Sequence, residues 1–119
     1  MTAAVPGPVN SQDDIRLALR SWPEVDDYLT TCKGVILPLG STEQHGPTGA
    51  IGTAALTAEA VALEVGCLTG VLVAPVHAVG IAAHHLGFAA TPSLQPATLA
   101  GRTLALVLPL ARPVSDRVL

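Results

Sequence analysis

Glu43 and His45 stand one residue apart in "GSTEQHG", residues 40–46, at the end of an apolar run. In an extended segment, residues i and i+2 point the same way. A carboxylate oxygen and an imidazole nitrogen at that spacing can converge on one ion at about 2.0–2.2 Å, as Zn²⁺ or Mn²⁺ sites require. Gly40 and Gly46 let the backbone turn on either side. The same pair also fits a surface ion pair, because a metal usually takes three or four protein ligands. Other imidazoles come from His77, His84 and His85. Adjacent His84 and His85 are expected not to face one ion together, and each also fits a loop histidine bonded to backbone or water.

The elements that must position these groups follow from the pattern. Ser11 caps a short helix that carries Asp13 and Asp14 in its first turn, where the helix dipole favours acid. Pro23 and Glu24 open a second helix with Val25, Tyr28 and Leu29 on one face, ended by Gly34. "VILPLG", 35–40, reads as a buried strand with Pro38 near its end or at an edge. Residues 54–65 form an apolar helix with Gly66 as its stop, and "VLVAPV", 71–76, a second strand. Strand, helix and strand at this spacing make a βαβ unit with parallel strands. Pro96 opens a third apolar helix, which Pro109 and Pro113 break. The fold class is therefore α/β, a partial three-layer α/β/α arrangement with a short parallel sheet. Residues 1–10 read as a flexible lead-in, 11–108 as the α/β domain and 109–119 as an irregular tail. In such sheets ligands sit beyond the carboxyl ends of the strands, where "GSTEQHG" lies.

The 119 residues are enough for one modest core. Half are hydrophobic and 3% aromatic, so Ala, Val and Leu must build it; a chain with 13% charged residues is far from the signature of disorder. The net charge is −3 and the basic residues are scattered, which argues against nucleic acid or an anionic membrane as partner. Apolar runs are interrupted well before ~20 residues, so no spanning helix is expected. No leader is visible, and Cys32 and Cys67 form no CxxC motif. The expectation is a cytoplasmic protein with free thiols.

"LPLGSTEQHGP" followed by "IGT" and a helix, then "VLVAPV", "GIAAHHLGF" and "SLQPATL", resembles the creatininase (creatinine amidohydrolase) family from residue 22 to about 108. The resemblance implies an α/β/α hydrolase that opens a small cyclic amide with two divalent metals, zinc or manganese, and assembles as a homo-oligomer. It implies Glu43 as ligand of one metal and His45 as ligand of the other. Gln44 and His85 fall on segments that border the site. Two departures stand out. The family's Gly-Thr-Asp, whose Asp bridges the metals, is Gly52-Thr53-Ala54 here, and alanine has no donor atom. Glu59, the nearest carboxylate downstream, is more than a turn further along. The family's later Asn-Gly-His motif has no counterpart, which suggests a truncation or frame change near residue 108. Three functions compete on these grounds: a dinuclear amidohydrolase, a catalytically dead remnant, and an interaction subunit that lends its Glu-x-His edge to a partner or another copy.

Overall fold

The computed structural model describes residues 11–111, so the lead-in over 1–10 and most of the 109–119 tail lie outside the described residues. Helix α1 spans Gln12–Ile15, and the Ser11 hydroxyl accepts from the Asp13 N–H at 3.2 Å, as its residue type predicts. Helix α2, Trp22–Thr31, begins with a capping box in which the Ser21 N–H donates to Glu24 at 2.7 Å. It stops at Cys32, before Gly34 is reached.

Strand β1, Val35–Ile36, pairs in parallel with β2, Leu72–Val73, and α3, Thr53–Thr69, connects them. This is the βαβ unit read from the sequence. Arg16 makes a further parallel bridge to Val73, so β2 is central. Adjacent strand residues face opposite sides of a sheet. Val73 packs with Ile15, Ala62 and Leu63 on the α3 side, and Leu72 with Tyr28, Leu29 and Cys32 on the α2 side. The result is three layers. The core is mostly aliphatic, with Tyr28 the aromatic exception.

Two further helix ends move. Helix α3 runs through Gly66 and stops at Gly70, which adopts the left-handed conformation at φ 74°. Gly66 serves packing instead. A Cβ there would lie 2.8 Å from Val73 Cγ2 and 2.9 Å from the Val71 carbonyl oxygen. Helix α4, Pro96–Ala111, likewise passes through Pro109. A proline so near the end costs one backbone hydrogen bond without ending the helix.

Candidate metal centre

The parallel ladder continues irregularly beyond β1 and β2 and carries the motif with it. The Ala74 N–H donates to Ile36, His77 to Pro38 and Gly40 to His77, at 2.8, 2.9 and 2.9 Å. Thr42 then donates to the Ala78 carbonyl from both its N–H and its hydroxyl, each at 2.7 Å. Gly40 lies flat against the first turn of α3: a Cβ there would sit 2.4 Å from the Ala54 carbonyl oxygen. The Glu43 N–H donates to the Ile51 carbonyl at 2.9 Å and closes the loop over 44–50. Residues 80–94 form the opposite wall, closed by Leu94 N–H to Gly80 at 2.8 Å and Ala82 N–H to the Ser93 hydroxyl at 2.9 Å.

Three donor groups meet between these walls. One carboxylate oxygen of Glu43 and one ring nitrogen each of His84 and His85 all lie within 4.8 Å of one another. Glu43 Oε2 is 3.9 Å from His85 Nε2, with both side chains mostly buried and His84 exposed. The adjacent histidines, expected to diverge, come together because Ala83–His85 is a tight 3-10 turn. Their ring centroids are 3.9 Å apart and the planes are tilted by 46°. His84 is the member that sequence reasoning missed. The paired histidines were visible, but the turn that gathers them was not.

Gln44 fixes His85. Its Oε1 accepts from the Gly46 N–H at 2.9 Å, so its Nε2 is the atom 2.9 Å from His85 Nδ1, and it donates. A neutral His85 then carries its proton on Nε2, facing Glu43. The Gln44 N–H is itself anchored on the hydroxyl of buried Thr91 at 3.2 Å. Phe88 stands edge-on to the His85 ring at 6.4 Å.

His45 does not join the cluster among the described residues and is exposed. The extended geometry assumed for Glu43-x-His45 ends at Gln44. Gly46 takes φ 79°, and residues 47–49 turn back so closely that a Cβ on Gly49 would overlap the His45 carbonyl. The structure thus brings Glu43, Gln44 and His85 together, adds His84, and leaves His45 aside.

The cluster supplies the donor types for one ion. Two imidazoles and a carboxylate are three protein donors, the complement of an open tetrahedral site. It does not match two ions. Ala54, second residue of α3, presents only a methyl group. Glu59 is turned away toward α1 and pairs with the Arg16 guanidinium at 3.1 Å.

A family model described as creatininase, creatinine amidohydrolase, matches residues 18–118. The chain belongs to the creatininase family. Among solved structures it is similar to a mutant creatininase complexed with creatine, at 29% identity and a TM-score of 0.78, over 83% of this chain and 40% of that one. It is also similar to creatinine amidohydrolase (creatininase) at 28% identity and a TM-score of 0.77, with the same coverage. The chain therefore spans about two fifths of the length of the creatininases it matches. No curated protein sequence matched it. Among the described residues, no helix is long and apolar enough to cross a membrane.

Proposed function

We propose that this chain is the metal-holding part of a creatininase-family hydrolase of small cyclic amides, with one divalent ion, Zn²⁺ or Mn²⁺, held by Glu43, His84 and His85. The observation that carries this reading is the convergence of those three donors within 4.8 Å, beyond the carboxyl ends of two parallel strands. Carboxylate and imidazole suit either metal. Such an ion, when bound, polarises a carbonyl oxygen and lowers the pKa of bound water. The chain's own groups position the ligands: Gln44 orients the His85 ring and has to turn its amide over when Nε2 takes an ion, Thr91 anchors Gln44, and Gly40 seats the motif on α3. We further propose that the dinuclear arrangement implied by Glu43 and His45 is not completed by this chain, since Ala54 offers no shared ligand and Glu59 is engaged by Arg16.

Metal stoichiometry with a ring-opening assay on creatinine tests the reading. The chain is expected to hold one Zn²⁺ or Mn²⁺ and to leave the ring closed. Two ions per chain together with ring opening would overturn it.

A second reading, an interaction subunit that works within a homo-oligomer or beside a partner, is favoured by a different observation. Helix α3 is mostly apolar, yet its Leu56, Val61 and Leu68 are about 60% exposed. A helix of that kind is ordinarily covered. Sedimentation of the purified chain separates the two: a stable oligomer with no metal at any loading favours the second.

A further inference from the structure

The run over 86–92 is exposed at every position but one. Thr91 is 8% exposed, between exposed Ala90 and exposed Pro92. A bend in the backbone accounts for it. Ala90 takes φ 57°, and among the described residues it alone has a positive φ without being glycine. A residue with a Cβ rarely adopts that region, and it persists where the surroundings require it. Pro92 biases Thr91 toward extended backbone. The return segment is pinned just beyond, by Ser93 to Ala82 at 2.9 Å and by Leu94 to Gly80 at 2.8 Å. With that segment held, the left-handed residue turns Thr91 inward.

The Thr91 hydroxyl meets a donor at the point where the backbone ladder ends. The ladder between the motif and residues 77–78 runs as far as Thr42. Two residues on, the Gln44 N–H takes its acceptor from Thr91 Oγ1, 47 positions away in the chain, at 3.2 Å. The Gln44 side chain then returns to the same wall, its Nε2 2.9 Å from His85 Nδ1. Thr91 and His85 thus grip one residue, the first by its backbone and the second by its amide.

We propose that Thr91, turned inward by Ala90, is a positioning residue for His85 and acts through Gln44. Holding the Gln44 backbone fixes the origin of its side chain, and with it the direction from which the amide meets the imidazole. A ring held this way keeps Nε2 toward Glu43, whose Oε2 is 3.9 Å away. The consequence for metal affinity rests on the reading of Glu43, His84 and His85 as ligands; the setting of the ring does not.

Nuclear magnetic resonance on the metal-free full chain at neutral pH tests the setting of the ring. The parent is expected to show an Overhauser contact between the Gln44 side-chain amide and the His85 ring, with a protected Gln44 N–H. Thr91→Val keeps the shape and loses the hydroxyl. It is expected to abolish the contact and to speed exchange of that N–H at least about tenfold, the size of one lost hydrogen bond, and Thr91→Ser to restore both. Ala90→Gly is expected to keep them, since glycine adopts positive φ freely, and Ala90→Pro, whose ring fixes φ at about −65°, to abolish them while circular dichroism reports an unchanged fold. In Zn²⁺ titrations, Thr91→Val is expected to weaken binding at least about tenfold in the parent and less than about twofold in a Gln44→Ala background, where the amide it aims is gone. A Thr91→Val chain that keeps the contact, or one that loses the same Zn²⁺ affinity with and without the Gln44 side chain, would overturn the proposal. A parent with no Zn²⁺ affinity would overturn the metal centre instead, and the metal-free spectra would still decide the role of Thr91.

Discussion

The side-chain amide of Gln44 donates from Nε2 to His85 Nδ1 at 2.9 Å, and that bond decides which ring nitrogen of His85 is free. With Nδ1 accepting, the proton of the neutral ring sits on Nε2, the nitrogen nearest Glu43. For Nε2 to bind an ion the proton has to move to Nδ1, and the Gln44 amide has to turn over and give up the Gly46 N–H. Metal ligands of this kind usually donate their second nitrogen to an acceptor.

Gln44→Glu is therefore expected to tighten Zn²⁺ binding. The new carboxylate can accept from His85 Nδ1 with one oxygen and from the Gly46 N–H with the other. The gain is put at about tenfold, the low end of such outer contacts. Competition against a chromophoric chelator measures it; a weaker or unchanged affinity would show that the amide does not set the ring.

Gly40→Ala is expected to destabilise the fold by about 2 kcal/mol, within the range for overpacking. The added methyl would meet backbone, not a flexible side chain, at the Ala54 carbonyl. Urea denaturation reads the loss directly. A Gly40→Ala variant as stable as the parent would mean that the motif loop is not seated on α3 as described.

Tyr28→Phe is expected to cost about 1–3 kcal/mol, because it leaves a buried backbone donor unpaired. The phenol donates to the Gly34 carbonyl at 2.6 Å and accepts from the Leu72 N–H at 3.1 Å, joining α2 to both strands. Burial, then the neighbouring Cys32, push its pKa up to about 12 from 10.0. The protonated phenol is the form the fold prefers. Its contribution is present below pH 10 and is lost as pH rises through 12, a fall of order 2–3 kcal/mol. Denaturation midpoints across that window, compared with the Phe variant, check the sign: the variant should lose that part of the alkaline slope.

Much of this fold was legible from local chemistry. The Ser11 cap, Pro23 in the first turn of α2, the parallel pairing across α3 and the start of α4 at Pro96 all depend on near neighbours, and near neighbours are what a sequence displays. Gly66 misled for a tertiary reason: it makes room for Val73, seven residues on, rather than ending the helix. Pro109 misled because a proline near the end of a helix forfeits too little to stop it. At the site, the motif and the resemblance it carries pointed to Glu43, Gln44 and His85, which the structure places side by side. His84 was set aside because adjacent side chains ordinarily diverge, and only the 3-10 turn at Ala83–His85 reverses that. The alignment of His45 with Glu43 assumed an extended backbone, and Gly46 interrupts it.

Ala54→Asp tests whether the rest of a second metal position is in place. The aspartate would stand in the first turn of α3, where the dipole favours acid, about 0.3–1 kcal/mol. The expectation is a stable fold with Zn²⁺ stoichiometry still at one per chain, since His45 lies outside the cluster. A second equivalent of Zn²⁺ in that variant would show that His45 can swing in to complete a dinuclear site.

The most direct test of the central claim is a Zn²⁺ titration of the full chain beside four single variants, Glu43→Gln, His84→Ala, His85→Ala and His45→Ala. One Zn²⁺ per chain is predicted, weakened at least about tenfold by each of the first three and changed by less than about twofold by His45→Ala, since lost ligands exceed the 10–100-fold cost of lost outer contacts. Binding that survives His84→Ala but is lost in His45→Ala would contradict the account and return the site to the Glu-x-His pair.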